Sequence, residues 1–154
     1  MTGISYKATI DDADMREKLT ELIGKMQRPA GFYKNVGEHL LNSVKDNFEN
    51  ESAPDGNRWK TLSQSTLNLR SKKHGNATTT ILRASGDLMN SINMLASDTD
   101  VRIGSSLIYA AIHQFGGDAG LGKKVTLTAR PYLGLSVADE DEVVTIAEHW
   151  LAVE

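Results

Sequence analysis

The stretch INMLASDTDVRIGS, residues 92–105, decides the class of fold, because it carries the clearest β pattern in a chain whose longer apolar patterns are helical. Met94 and Ala96 lead into the turn Asp98-Thr99-Asp100, and after it Val101 and Ile103 alternate with Arg102 and Gly104. A period of two is typical of half-buried strands, and a short polar run between two of them is typical of a turn. We therefore predict a hairpin in which residues 92–97 pair with residues 101–105.

Helical patterns precede this hairpin. Apolar residues recur at helical spacing over about 15–26 and, after Pro29 and Gly31, over about 32–49. The second helix carries an apolar residue at every fourth position: Val36, Leu40, Val44 and Phe48. A shorter helical stretch is expected at 63–70, and alternation at residues 4–10 predicts an N-terminal strand.

Shorter elements follow the hairpin. Residues 107–115 predict a compact helix ended by Gly116-Gly117, and residues 125–129 predict a strand. Ser136 offers a cap for a last helix, with Asp139 three residues on, and the acids 139–142 are expected to be solvated partners of the helix dipole. The order indicates an α+β fold, a small antiparallel sheet packed with two or three longer helices, in a single domain over 1–154.

Composition narrows the classes of function. The 154 residues carry a net charge of −3 and no cysteine, which argues against disulfides, zinc–thiolate sites and a global attraction to nucleic acid. Neither a signal peptide nor a membrane span is predicted, so we expect a protein made and kept in the cytoplasm unless it is built into a particle.

Two segments, residues 70–80 and 116–124, are predicted to be exposed mobile loops. The first is basic, and the second contains four glycines within 116–122. Their cations are candidate docking residues for acidic partner surfaces or for passing DNA phosphates. These residues are Arg70, Lys72, Lys73, Lys123 and Lys124.

No constellation for catalysis, a cofactor or a metal is predicted. Residues 117–123 match the glycine, four-residue, glycine-lysine start of a phosphate-binding loop, but Lys124 replaces the Ser or Thr that binds magnesium, and no strand leads into a helix there. No Gly-x-Ser-x-Gly nucleophile elbow occurs. The four histidines are expected to be hydrogen-bonded structural residues: His39, His74, His113 and His149.

Four short phrases, in a fixed order, carry a resemblance to a known family. They are PDGNRWKTL (54–62), ILRASGDLMNSI (81–92), VRIGS (101–105) with YAAIHQFGG (109–117), and ARPYLGLS (129–136). Together they resemble the phage virion morphogenesis family, which includes the tail-completion proteins of P2-like and Mu-like phages. The residues that carry the resemblance, expected to be structural, are Trp59, Ser85, Gly86, His113, Gln114, Phe115, Gly116, Gly117, Arg130 and Pro131.

The resemblance implies an α+β subunit similar to ring-forming phage neck proteins, with no enzymatic activity. It implies assembly with itself, as a hexamer by analogy, and with other neck, tail or head proteins in the virion. DNA contact is expected only as sequence-independent passage. The alternative from another class is a nucleic-acid-binding regulator that uses the basic segment Arg70–Lys73. We further expect Trp59 and Phe115 to be buried against the long helix or its neighbours.

Overall fold

The computed structural model describes residues 12–74 and 79–152, with the backbone alone for Lys73, His74 and Lys123. The described residues form an α+β fold, as the sequence predicts; the strand predicted at residues 4–10 lies outside them. The helices are α1 (Ala13–Gln27), α2 (Ala30–Asn50), α3 (Gln64–His74), α4 (Asp87–Asn90), α5 (Ala110–Phe115) and α6 (Val137–Leu151). The strands are β1 (Ile92–Ala96), β2 (Val101–Ser105), β3 (Gly117–Ala119) and β4 (Val125–Leu127).

The first hairpin has the predicted position. β1 and β2 pair antiparallel, with Ile92 opposite Ser105 and Ala96 opposite Val101. Its turn is held by the Ser97 hydroxyl, which donates to the Asp100 carboxylate over 2.8 Å and accepts from the Asp100 amide over 3.1 Å. This local bonding explains why a run of short polar residues ends one strand and begins the next.

Helix α2 is the central element, because it packs against both strands of this hairpin and against α6. Gly37 lies where α2 meets the hairpin: a Cβ there would contact the Met94 sulfur and lie 2.8 Å from Cγ2 of Val101. The missing side chain therefore lets the helix approach the sheet closely. Towards its C-terminus α2 contributes Phe48, which is completely buried.

The core joins residues that lie between α2 and the segment before α6. Phe48 packs edge-on against Trp59, with ring centroids 5.7 Å apart, and at a tilt against Tyr132, with centroids 5.0 Å apart. Such aromatic contacts add to the stabilisation from burial alone. The buried members of this cluster are Val44, Phe48, Ala53, Trp59, Ile81, Leu88, Ile92, Ala110 and Tyr132.

The segment predicted as a glycine-rich loop forms a second hairpin instead. β3 and β4 pair antiparallel from Gly117–Leu127 to Ala119–Val125, with a 3₁₀ turn at Leu121–Lys123 between them. Gly116, Gly117, Gly120 and Gly122 all have positive φ. Gly120 and Gly122 supply the left-handed backbone of the turn, whereas Gly116 ends α5 and Gly117 begins β3. In the sequence this run of glycines resembles the composition of a loop.

The other predicted loop is also shorter than expected. Helix α3 continues through Arg70 and Lys72 to His74, and residues 75–78 lie outside the described residues. The basic residues of this segment have straight side chains and are good helix formers. The sequence does not predict the end of the helix, because α3 has few apolar residues at helical spacing.

The acids at the start of α6 are not all solvated, contrary to the prediction. Ser136 caps the helix in a capping box with Asp139, and Asp139 is 3% exposed. Its carboxylate bonds to His39 over 2.8 Å and accepts from Ser43 over 2.9 Å, both on α2. Burial raises the pKa of Asp139, but hydrogen bonds from Ser136, Ser43 and His39 together lower it below the usual value. Asp139 therefore joins the two long helices.

Candidate assembly surfaces

Residues 130–133 contact other segments that carry the family resemblance, namely residues 54–62 and 109–117. The Gln114 side chain accepts from the amides of Tyr132 and Leu133 and donates to the Leu133 carbonyl, over 2.8 to 3.0 Å. Gln114 thus pairs with the backbone as a neighbouring strand would, and holds α5 against this segment.

Two large side chains complete the same junction. The Arg130 guanidinium donates to the carbonyls of Lys60 and Thr61 over 3.0 and 3.3 Å. The buried Tyr132 hydroxyl donates to the Ala110 carbonyl over 2.9 Å, and burial raises the pKa of this tyrosine. Gln114, Arg130 and Tyr132 therefore all bind backbone groups of the protein itself, which is a structural role.

An open groove of about 840 Å³ lies between α3 and the β3–β4 hairpin. Its lining combines leucines, such as Leu62, Leu69 and Leu88, with hydroxyl groups, such as those of Ser65 and Thr126. Its charged lining residues are Lys60, Arg70 and Arg130, with His113 beside them. Among the described residues that line the groove, none is Asp or Glu.

The cations of this groove lie close enough to influence one another. Burial, followed by the charge of Arg70, lowers the pKa of Arg130. Burial, followed by the charge of Arg130, lowers the pKa of His113. The buried Nδ1 of His113 has no hydrogen-bond partner within the described part of the chain, although we expect a hydrogen-bonded histidine there. The groove is therefore a cationic site in which, among residues 12–74 and 79–152, no carboxylate forms an ion pair with Arg130.

Helix α5 exposes an apolar face. Phe115 is 78% exposed and Ile108, in the turn before the helix, is 99% exposed, so the expectation that Phe115 is buried is wrong. Helical periodicity places Ile108, Ala111 and Phe115 on one side, whereas the opposite side carries buried Ala110 and the bonded Gln114. Phe115 is exposed because Gln114 and Ala110 take up the side of α5 that meets the core.

A second apolar surface runs along α1, which has no buried residue. Its apolar side chains recur at spacings of three and four, as they would on a helix that packs against a partner. Phe32, Tyr33 and Trp150 line a pocket of about 300 Å³ beside the end of this helix. The exposed members of the stripe are Met15 (57%), Leu19 (50%), Ile23 (55%) and Met26 (65%).

Comparison with known families places the chain in one class of protein. The model of the phage virion morphogenesis family matches residues 10–152, which is nearly the whole chain. The chain belongs to the phage virion morphogenesis family. Its broad role is thus the assembly of a phage particle, and the family describes particle morphogenesis rather than an enzymatic activity.

Two relatives are similar to this family member. The protein named putative capsid assembly protein G, from Escherichia phage Mu, is 34% identical over 143 residues, which cover 92% of this chain and 90% of the relative. A Mu-like prophage FluMu G protein 2, from Haemophilus influenzae, is 45% identical over 58 residues, covering 38% of this chain and 42% of the relative. No solved structure matches the chain with statistical significance.

The structure separates the predicted docking residues of this family member. Arg70 lies in the groove and donates to the Thr80 carbonyl over 2.8 Å. Lys72 and Lys124 are exposed and do not line the groove, and the side chains of Lys73 and Lys123 are outside the described residues. Of the three docking residues whose side chains are described, only Arg70 therefore joins other cations, and its neighbour Arg130 is one that the sequence indicates to be structural.

The structure gives no support for a phosphate-binding loop at residues 117–123 or for a nucleophile at Ser85. Residues 117–123 form a β-strand and a 3₁₀ turn before another strand, so no helix N-terminus faces a phosphate. Ser85 bonds to the Asp87 carboxylate over 2.7 Å, and Gly86 precedes α4 with a positive φ.

Across residues 12–74 and 79–152, no group of three or more His, Cys, Asp or Glu side chains could hold a metal ion. None of the described helices is both long and apolar enough to cross a membrane.

Sequence reasoning misses two features of these surfaces. Lys60 directly follows Trp59, which is the residue that the sequence analysis singles out there. No residue near Lys60 in the sequence indicates that its side chain lines a groove. Helix α6 also exposes an alternating stripe of Val137, Asp141, Val144 and Glu148. The spacing of four, three and four residues is visible in the sequence, but the inward-facing stripe at 143, 146, 147 and 150 is more apolar and masks it.

Proposed function

We propose that this chain is a structural subunit of a tailed-phage particle that acts in tail completion and head–tail joining as a homo-oligomeric ring. The observation that carries the proposal is the family match over residues 10–152. The phage Mu relative, which carries the name of a putative capsid assembly protein, adds support because the similarity extends over 90% of its length.

The exposed apolar surfaces support self-association. An isolated soluble protein exposes scattered apolar side chains, but contiguous stripes are typical of surfaces that another protein covers. Here two separate elements carry such stripes: α1, with Met15 to Met26, and the α5 face of Ile108, Ala111 and Phe115. A ring subunit needs separate surfaces for the neighbours on its two sides, and often a third for the next protein along the particle.

The ring closes through head-to-tail contacts between unlike surfaces, and six copies is the number that the family resemblance favours. Its other partners are neck, tail or head proteins of the same particle. The ring lies at the neck or the head-proximal end of the tail, so that DNA passes through it without sequence-specific contact. The subunit is made in the host cytoplasm and remains in the virion.

Deletion of the gene tests this function. We expect lysates of the deletion phage to contain separate heads and tails in electron micrographs, with infectivity restored when the wild-type chain is supplied from a plasmid. A frameshifted copy on the same plasmid is the control. Normal infectious particles from the deletion phage would overturn the proposal.

The nucleic-acid-binding alternative has one observation in its favour, the cluster of Lys60, Arg70 and Arg130 in a groove without acids. Binding through phosphates predicts an affinity for duplex DNA that falls steeply as salt rises. A regulator would bind DNA as the isolated protein and leave particle structure unchanged when deleted. The two functions therefore give opposite results in the deletion lysate.

A further inference from the structure

Within the described residues, Arg130 in the groove between α3 and the β3–β4 hairpin has no carboxylate partner. Buried cations in proteins are generally paired, because an isolated buried charge is costly. Arg130 is only 8% exposed, yet its hydrogen bonds reach carbonyl oxygens, and within the described residues no carboxylate lies within 4.0 Å of its guanidinium. Lys60 and Arg70 add two more positive charges to the same lining.

The rest of the lining indicates what kind of ligand would supply the anion. Leu62, Leu69 and Leu88 offer apolar contact, and hydroxyl groups along α3 and β4 offer hydrogen bonds. A ligand that matches both must combine carboxylates with apolar side chains. Duplex DNA matches less well, because its phosphate backbone offers charge without apolar side chains for the leucines of the groove, and Arg130 is only 8% exposed.

Such a surface exists on this chain, on helix α6. Val137, Asp141, Val144 and Glu148 lie within about 60° of one another around the helix, given 3.6 residues per turn. Val137 is 76% exposed and Val144 is 57% exposed, and both acids are exposed. We name these four residues the α6 stripe. It alternates apolar and acidic side chains along about 16 Å of helix, at 1.5 Å of rise per residue.

We propose that the groove of one copy binds the α6 stripe of a second copy, with the acids of the stripe facing Lys60 and Arg130. This inference rests on the proposed ring, and it names one contact between neighbouring subunits of that ring. The groove and the stripe share no residue, so successive copies can join head-to-tail through them. A head-to-tail contact leaves one free groove and one free stripe on every growing chain of subunits, and only ring closure uses both.

Two variants block the two sides of this contact. Ser65→Trp places a large ring in the groove from an exposed position on α3. Asp141→Lys reverses the charge in the middle of the stripe. The matched controls are Ser71→Trp, an exposed serine of α3 that does not line the groove, and Glu142→Lys, an exposed acid of α6 that lies off the stripe. Circular dichroism and thermal unfolding of all four confirm folding before assembly is measured.

We expect each groove or stripe variant to lose self-association by at least about tenfold, measured by sedimentation velocity, with both controls close to wild type. The decisive arm mixes Ser65→Trp with Asp141→Lys in equal amounts. The intact stripe of the first fits the intact groove of the second, so heterodimers form, and this contact cannot extend them because the remaining groove and the remaining stripe are both blocked.

The other outcomes overturn the inference. If the wild-type chain assembles and both variants assemble equally well, the contact lies elsewhere, and the proposed ring function stands. If the wild-type chain stays monomeric at every concentration, both the contact and the ring fail. If the wild-type chain instead binds a short DNA duplex with steep salt dependence and Ser65→Trp abolishes that binding, the groove is a nucleic-acid site and the contact is wrong.

Discussion

The indole Nε1 of Trp59 donates a hydrogen bond of 2.7 Å to the carbonyl of Pro131, 72 residues further along the chain. Trp59 is 6% exposed and packs edge-on against Phe48, so one side chain joins the end of α2 to the segment before α6. The burial of Trp59 that the sequence predicts is confirmed.

Replacing Trp59 with alanine removes both the packing and this hydrogen bond. We expect Trp59→Ala to lower the free energy of unfolding by about 3–5 kcal/mol, as measured by urea denaturation. Trp59→Phe retains the ring without the donor and should lose less. A Trp59→Ala protein that unfolds at the wild-type urea concentration would contradict the packing described for the core.

Alanine substitutions at Gly116 and Gly120 distinguish the cost of a left-handed backbone from the added cost of steric overlap. Gly116 has φ +72°, and a Cβ there would lie 2.7 Å from the Ala129 nitrogen and 2.9 Å from the Leu127 oxygen. Gly120 has φ +80° with nothing within 4 Å. Gly120→Ala should therefore cost only the left-handed backbone, about 1–2 kcal/mol, whereas Gly116→Ala should cost distinctly more. Equal losses for the two variants would show that β4 does not lie this close to Gly116.

The acid sensitivity of the fold should depend on Asp139. Its pKa is lowered below 3.8 in the folded state, so the folded protein binds fewer protons than the unfolded one near that pH. Its contribution to stability is thus fully present above about pH 4 and is lost as pH falls through the folded-state pKa. Asp139→Asn should flatten the fall in unfolding free energy over this range.

Glu142→Gln serves as the control for this pH series, because Glu142 lies exposed on the same helix and off the α6 stripe. Urea denaturation at several pH values between about 6 and 2.5 covers the window. An acid dependence that is unchanged in Asp139→Asn would mean that other carboxylates dominate it.

Phe115 should matter for association rather than for folding. Because its side chain is 78% exposed, Phe115→Ser should leave the free energy of unfolding within about 0.5 kcal/mol of wild type. Covering a phenylalanine at an interface is worth about 1.5–3 kcal/mol, so self-association should weaken about ten- to hundredfold in sedimentation experiments. Leu95→Ser, which changes a 69% exposed residue of β1, is the control. A less stable Phe115→Ser protein with normal association would contradict this interpretation.

The sequence predicts the elements whose apolar pattern matches their burial. The hairpin of β1 and β2, the stripe of α2 and the Ser136 cap are all local patterns, so their positions can be read from the chain alone. The long-range partners cannot. Nothing near Asp139 indicates that His39 and Ser43, about a hundred residues earlier, bond to its carboxylate.

Exposure is the property that sequence patterns predict least well here. Phe115 and the α1 stripe have the same residue types and spacing as core-facing helices, and only the tertiary structure shows that the core is already filled on another side. The groove is assembled from Lys60, Arg70 and Arg130, which lie up to 70 residues apart. A surface that forms between distant segments leaves no local signal in the sequence.

The mass of the purified wild-type chain under native conditions tests the central claim most directly. The account predicts that native mass spectrometry at micromolar concentration finds one closed oligomer, with a single copy number and no ladder of larger species, because head-to-tail contacts end at ring closure. A chain that remains monomeric as its concentration rises, or that grows into a ladder without a preferred size, would contradict the claim that this protein is a ring-forming subunit of a phage particle.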